Sequence, residues 1–225
     1  MKTGSNFCRL ALASLFVFTL AQATVWAQSS EGKPAAPPAP PTPSPLPVKP
    51  VADKSAPAGW TRYEIGEPAR LSLLLPSQPG ASAERMNVAP GVTVMVQTFL
   101  SPTDSGVYGA MYLDGLPAVK LDKAFKQTLF ESFVGGFARG FQKGLQASGR
   151  TGQLTILEQR ATTMSGLTGY EQDFSFDTLK GRVRLVFDRG RAYAVVAFWN
   201  ALSSNSERST FFESLRVTKR LRVTR

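Results

Sequence analysis

Three carboxylates, Glu171, Asp173 and Asp177, have the clearest spacing for chemistry in this chain. On a strand Glu171 and Asp173 project from one face, and Asp177 falls in the turn before Gly181, so the three could give oxygen ligands to a calcium ion. Such an ion takes about six to eight oxygens, and three are few, so the group reads as a solvated sheet face ended by a polar turn. No metal and no cofactor is expected. Composition removes most other reactions. The chain has no histidine and one cysteine, Cys8, which excludes histidine-based serine or cysteine triads and typical zinc sites. GxSxG, GxxxxGK[ST] and a GxGxxG between strand and helix are all absent. A serine–lysine pair stays open, but no spacing marks one. The residue types point to binding rather than catalysis.

The elements that would carry these residues begin near Gly59. Trp60–Ile65 and Arg70–Leu75 read as short strands bounded by Gly66, Pro68 and Pro76, followed by strands over Gly91–Leu100 and Tyr108–Leu113. From Leu121 to Ala147, Phe125, Leu129, Phe133, Phe137, Phe141 and Leu145 recur every four residues, the stripe of an amphipathic helix. Gly136, Gly140 and Gly144 share that spacing, although glycine costs about 0.5–1 kcal/mol relative to alanine inside a helix. Three readings stay open: a small face lying close to a sheet, a break near Gly135-Gly136, or a ligand groove formed by Phe133, Gly136, Phe137, Gly140, Phe141 and Gly144. Strands return over Gln153–Glu158, Gly169–Phe176, Gly181–Asp188 and Ala192–Trp199, the last two joined by a tight hairpin at Asp188-Arg189-Gly190-Arg191. Ser203 or Ser204 would cap a closing helix with Phe211, Phe212 and Leu215 facing inward. One long helix among strands, with a second helix at the end, gives an α+β class built on an antiparallel sheet flanked by helices.

The start of the chain is an export signal. Lys2 and Arg9 precede the apolar core LALASLFVFTL, and both Ala21-Gln22-Ala23 and Val25-Trp26-Ala27 satisfy the small-residue rule; cleavage between Ala27 and Gln28 is favoured because it leaves a polar start. The rival reading is an uncleaved anchor over residues 10–27, diluted by Ser14, Thr19, Gln22 and Thr24. Cys8 lies ahead of the apolar core, so it is not placed as a lipoprotein cysteine, and after cleavage the chain has no thiol. The location is therefore outside the cytoplasm, periplasmic or extracellular, with membrane anchoring as the alternative.

Ten of the sixteen prolines fall between Pro34 and Pro57. Proline fixes φ and removes a donor, so this stretch is expected to be a disordered, largely polyproline II linker able to span roughly 50 Å. The divisions are a signal peptide over 1–27, a linker over 28–58, one α+β domain over 59–217 and a basic tail over 218–225. The net charge is +10, or +8 once Lys2 and Arg9 are removed, and Arg216, Lys219, Arg220, Arg222 and Arg225 supply five of those charges. Such a cluster can attract an anionic envelope surface, and a frayed, solvated terminus is the plainer reading. Nucleic acid is not an expected partner of an exported protein.

Several segments carry a resemblance to a known family: Gly59-Trp60 with Tyr63-Glu64, LSLLLP ending in Pro76, the amphipathic helix, GLTGYEQDFSF, the strand pair KGRVRLVF and RAYAVVAFW, and the terminal TFFESLRV. In that order they resemble the PsbP-like superfamily, which includes the extrinsic photosystem II subunit and bacterial envelope proteins. The resemblance spans Trp60 to about Val217. It implies an α/β/α sandwich, an antiparallel sheet between helical layers, and a non-catalytic role in binding or assembly. Because the chain lacks histidine, no histidine-centred manganese or calcium role carries over, and no site residue is transferred. The function expected is that of an exported binding or assembly module with an envelope protein or an anionic surface as partner. A carrier of a small apolar ligand, held between the main helix and the sheet, is the alternative.

Overall fold

The computed structural model describes residues 43–67, 70–89, 92–117, 122–147 and 152–218. The signal peptide with its cleavage point at Ala27 and Gln28, most of the proline stretch, and Lys219, Arg220, Arg222 and Arg225 lie outside the described residues. The described strands are β1 (Val48–Val51), β2 (Thr61–Ile65), β3 (Leu71–Leu75), β4 (Gly80–Ala89), β5 (Val92–Pro102) and β6 (Gly106–Asp114), then β7 (Thr155–Met164), β8 (Leu167–Phe176), β9 (Leu179–Asp188), β10 (Arg191–Trp199) and β11 (Arg216–Val217). Two helices accompany them, α1 (Lys123–Ala147) and α2 (Asn205–Glu213).

Seven strands form one antiparallel sheet in the order β4-β5-β6-β10-β9-β8-β7, and β1-β2-β3-β11 form a second. Short turns set the meander from β7 to β10. Ser165 and Gly166 have φ of 53° and 71°, and Arg189 and Gly190 of 29° and 80°. Positive φ at both central residues matches the right-handed twist of the flanking strands.

Alternation along the central strands divides the apolar residues between two cores. On β10, Ala192, Ala194, Val196 and Phe198 face a core shared with α1. Tyr193, Val195 and Ala197 face a second core shared with the small sheet and α2. The fold is thus α+β, an antiparallel sheet with a helix on each face. The small sheet occupies the α2 side as well, so that layer is mixed.

The phenylalanine stripe of α1 seals the first core. Phe141 stacks on Phe198 with ring centroids 4.4 Å apart and planes 12° from parallel. Phe137 meets Phe174 and Phe198, each at 5.7 Å. Gly181, opposite Phe198 in the ladder, permits this, because a Cβ there would lie 2.5 Å from the Phe198 ring. The helix runs unbroken through Gly135-Gly136. At the other end of the domain the cap expected at Ser203 or Ser204 is Ser204, and it forms a capping box. Its side chain accepts from the Glu207 N–H, and Glu207 reaches back to the Ser204 N–H.

Two parts of the sequence reading need correction. The linker expected over 28–58 extends too far, because Val48–Val51 pair with β2. Pro50 is tolerated since β1 is an edge strand. The bond from the Gly66 N–H to the Pro47 carbonyl sets an alternation that puts Pro50 at a non-hydrogen-bonded position. The Leu46 N–H also donates to Oε1 of buried Gln97, tying this segment to the large sheet. The second correction is β4, which the sequence reading omits. Its residues GASAERMNVA lack an apolar alternation, and the strand forms because the long β5 offers a full ladder along one edge.

Glu84 on β4 is half-buried, and its Oε1 has no hydrogen-bond partner among the described residues. Burial pushes its carboxyl up to about 7 from an ordinary value of 4.5. A raised acid pKa leaves stability intact below about 4.5, and stability falls as the pH rises toward 7 and the buried group must ionise. Discounted for partial exposure, the loss is about 1 kcal/mol. Glu84→Gln is expected to flatten the decline between pH 5 and pH 8 in urea titrations, and parallel profiles for the two proteins would contradict this. Phe141→Ala, which empties the centre of the aromatic stack, is expected to cost about 3–5 kcal/mol in the same assay.

Candidate functional site

The first turn of α1 is built by Asp122. Its carboxylate accepts the Phe125 N–H at 2.7 Å and its carbonyl accepts the Lys126 N–H at 3.1 Å. The helix then carries Lys123 and Lys126, with no acidic residue in its first turn. A cation there opposes the helix dipole at a cost of about 0.3–1 kcal/mol, so helix stability does not account for either lysine. Neither is held in an ion pair among the described residues. Both flank a recess of about 460 Å³ between α1 and the outer strands of the large sheet.

Cross-strand register builds the floor of this recess. Ala161 pairs with Tyr170 and Thr163 with Thr168, so all four side chains share the face toward α1. The Tyr170 ring packs against Phe130, 5.4 Å between centroids. The result is an open pocket lined by two lysines on the helix side and by threonines and a tyrosine on the sheet side. It can hold an anion and a small attached body.

The opposite face of the same strands is closed to ligands by its own charges. Register places Arg160 and Arg184 on either side of Glu171, and Arg182 beside Asp173. Arg160 donates to one Glu171 oxygen at 2.9 and 2.6 Å, and Arg184 to the other at 2.5 Å. Arg182 makes a fork to Asp173 at 2.6 and 3.1 Å, and Arg160 adds a bond at 2.9 Å. Burial alone would raise both carboxyls, but hydrogen bonds from these arginines outweigh it and hold them below the usual range. The Arg182 and Arg184 guanidiniums also lie 5.8 and 4.9 Å from the Phe212 ring centre.

The solvated face expected around Glu171 and Asp173 is therefore a correction. The Glu171 side chain is only 8% exposed and both acids are committed to arginines. Asp177 stands apart in the turn after β8 with φ 51°. No cluster of potential metal ligands occurs among the described residues.

The six residues placed around a groove come together in part, as core. Phe133, Phe137 and Phe141 stack in series at 6.4 and 6.3 Å. Gly140 and Gly144 are buried and Gly136 is exposed. The rings fill the space between helix and sheet, and the recess opens instead at the start of the same helix. Sequence reasoning missed Lys123, Lys126, Thr163, Thr168 and Tyr170. The usable signal was a pair of lysines in a helix's first turn with no acid four residues later; their juxtaposition with the β7–β8 hairpin needs the fold. Of the basic tail only Arg216 is described, 66% exposed and 4.0 Å from Asp53, which Arg62 already holds.

No protein-family model matches the chain, and no curated protein matches it. Among solved structures, the solution structure of cyanobacterial PsbP (CyanoP) from Synechocystis sp. PCC 6803 is similar, with 15% identity and a TM-score of 0.45. The match covers 75% of this chain and 98% of that one. At that level it carries no further argument, and the α+β architecture rests on this chain's own strand register.

Proposed function

We propose that this chain is an exported, non-catalytic binding or assembly module whose ligand or partner engages the recess at the start of α1. One observation carries the reading. Two lysines with no acidic partner among the described residues line an open pocket together with threonines and a tyrosine, while Asp53, Asp114, Glu171 and Asp173 are held by arginines. Asp114 shows the same economy near the other end of the sheet. Burial would raise it, but Tyr112, Arg191 and Arg70 together lower it. A pocket with cations and hydroxyls, and no carboxylate in its lining, recognises a charged group.

Export is supported by the leader before Gln28, and the proline stretch would hold the domain away from the surface it leaves. No helix among the described residues is long and apolar enough to cross a membrane. The basic tail would add attraction to an anionic envelope surface. The carrier of an apolar ligand has against it the rings of Phe133, Phe137 and Phe141, which occupy the space such a ligand would need.

Native purification from membrane and soluble fractions, followed by intact and native mass spectrometry, tests this reading. The expected result is a chain beginning at Gln28 that retains a specific partner or small molecule. A chain recovered bare from both fractions would contradict a binding role, and a chain retaining residues 10–27 in the membrane fraction would make it an anchored protein.

A further inference from the structure

The chemistry of the recess specifies a class of ligand, an inference that rests on the binding reading above and deepens it. Lys123 and Lys126 line one wall, and no carboxylate lines the pocket among the described residues. The α1 terminus itself is not the source of this field, because the Asp122 carboxylate already occupies the Phe125 N–H. Several arginines elsewhere are paired with carboxylates. Arg160, Arg182 and Arg184 share Glu171 and Asp173, Arg70 and Arg191 share Asp114, and Arg62 holds Asp53. Lys123 and Lys126, by contrast, have no ion pair among the described residues and both line the recess.

The floor supplies the second half of the recognition. Thr163 and Thr168 offer hydroxyls that donate or accept, and Tyr170 offers a ring braced from behind by Phe130. A volume of about 460 Å³ is the size of a pocket for a small organic molecule, and far exceeds what a bare inorganic ion would fill.

We propose that the recess binds a small organic anion: a phosphate or carboxylate held between Lys123 and Lys126, borne on a hydroxylated, sugar-sized body that lies against Tyr170 and the threonine hydroxyls. Charge-assisted bonds from the ammonium groups supply affinity, and the hydroxyls and ring supply selectivity for the body. A free sugar phosphate or sugar acid presents this chemistry, and so does the terminal group of a larger envelope molecule.

The test uses the full mature chain, titrated with glucose 6-phosphate, glucuronate and inorganic phosphate by calorimetry and by amide chemical shifts. It is also sedimented with phosphatidylcholine vesicles with and without phosphatidylglycerol. Two variants accompany it. Lys123→Gln/Lys126→Gln removes the charges with a helix-compatible side chain, and Lys219→Gln/Arg220→Gln/Arg222→Gln alters only the tail. Equal thermal melts establish that the variants are folded. The expected result is binding of a sugar anion, shifts centred on Thr163, Thr168 and Tyr170, weaker binding of inorganic phosphate, and a loss of about tenfold or more in the lysine variant. Vesicle binding that falls in the lysine variant would support a headgroup as the source, and binding of the soluble probes alone a free ligand. Wild-type affinity in the lysine variant, shifts lying elsewhere, binding lost only with the tail, or no binding of any probe would overturn the proposal. If the lysine variant still retains the partner found on native purification, the anion inference fails and the binding module stands. If the wild type retains none, the module reading fails as well.

Discussion

The whole domain depends on a sheet that is apolar on both faces. From Ala192 to Phe198 every residue of β10 is buried, as is every residue of β6 from Gly106 to Leu113. A strand of that kind cannot leave either side to water, so the chain must supply two covers. The phenylalanine stripe of α1 is one, and the small sheet with α2 is the other. With no cysteine after Cys8, cohesion within the domain comes from this double burial and its hydrogen bonds. The requirement also explains why a segment as rich in proline as 43–51 is drawn into the fold. The small sheet needs an outer strand, and proline is least costly at an edge.

Charge takes over where apolar cover ends. Beyond the reach of the small sheet, β7, β8 and β9 carry a lattice of three arginines and two carboxylates in place of a hydrophobic face. Phe212 of α2 bridges the two regimes, packed into the second core while Arg182 and Arg184 lie across its ring. The edges of the large sheet are managed in the same spirit. Register shifts interrupt β4 between Asn87 and Ala89, and β7 between Ile156 and Gln159. Such irregularities hinder edge-to-edge pairing with another sheet. The lysine-flanked recess lies on the other face of these strands, away from the arginine–carboxylate lattice.

Much of this architecture was legible in the sequence, and the reasons for the gaps are physical. The four-residue recurrence of phenylalanine located α1, β-rich runs located β9 and β10, and Ser203 or Ser204 ahead of Phe211, Phe212 and Leu215 marked the last helix. Strand β4 was invisible because an exposed edge strand needs no apolar period. β1 was invisible because composition argued for polyproline structure and only the ladder of β2 overrides it. The carboxylates Glu171 and Asp173 were rightly placed on one face, but the arginines that bury them come from strands on either side, Arg160 before and Arg182 and Arg184 after. Lys123 and Lys126 could be seen at a helix start, whereas the threonines and Tyr170 facing them lie some forty residues on. Sites assembled from separate elements stay hidden until register is known.

Native-state hydrogen exchange tests most directly whether the doubly buried sheet organises the domain. The amides of β10 from Tyr193 to Ala197, with those paired to them in β6 and β9, are expected to exchange only through global unfolding, with β4 and β7 opening at lower free energy. Exchange of the β10 amides through a partial opening, while α1 or the small sheet remained protected, would contradict the account.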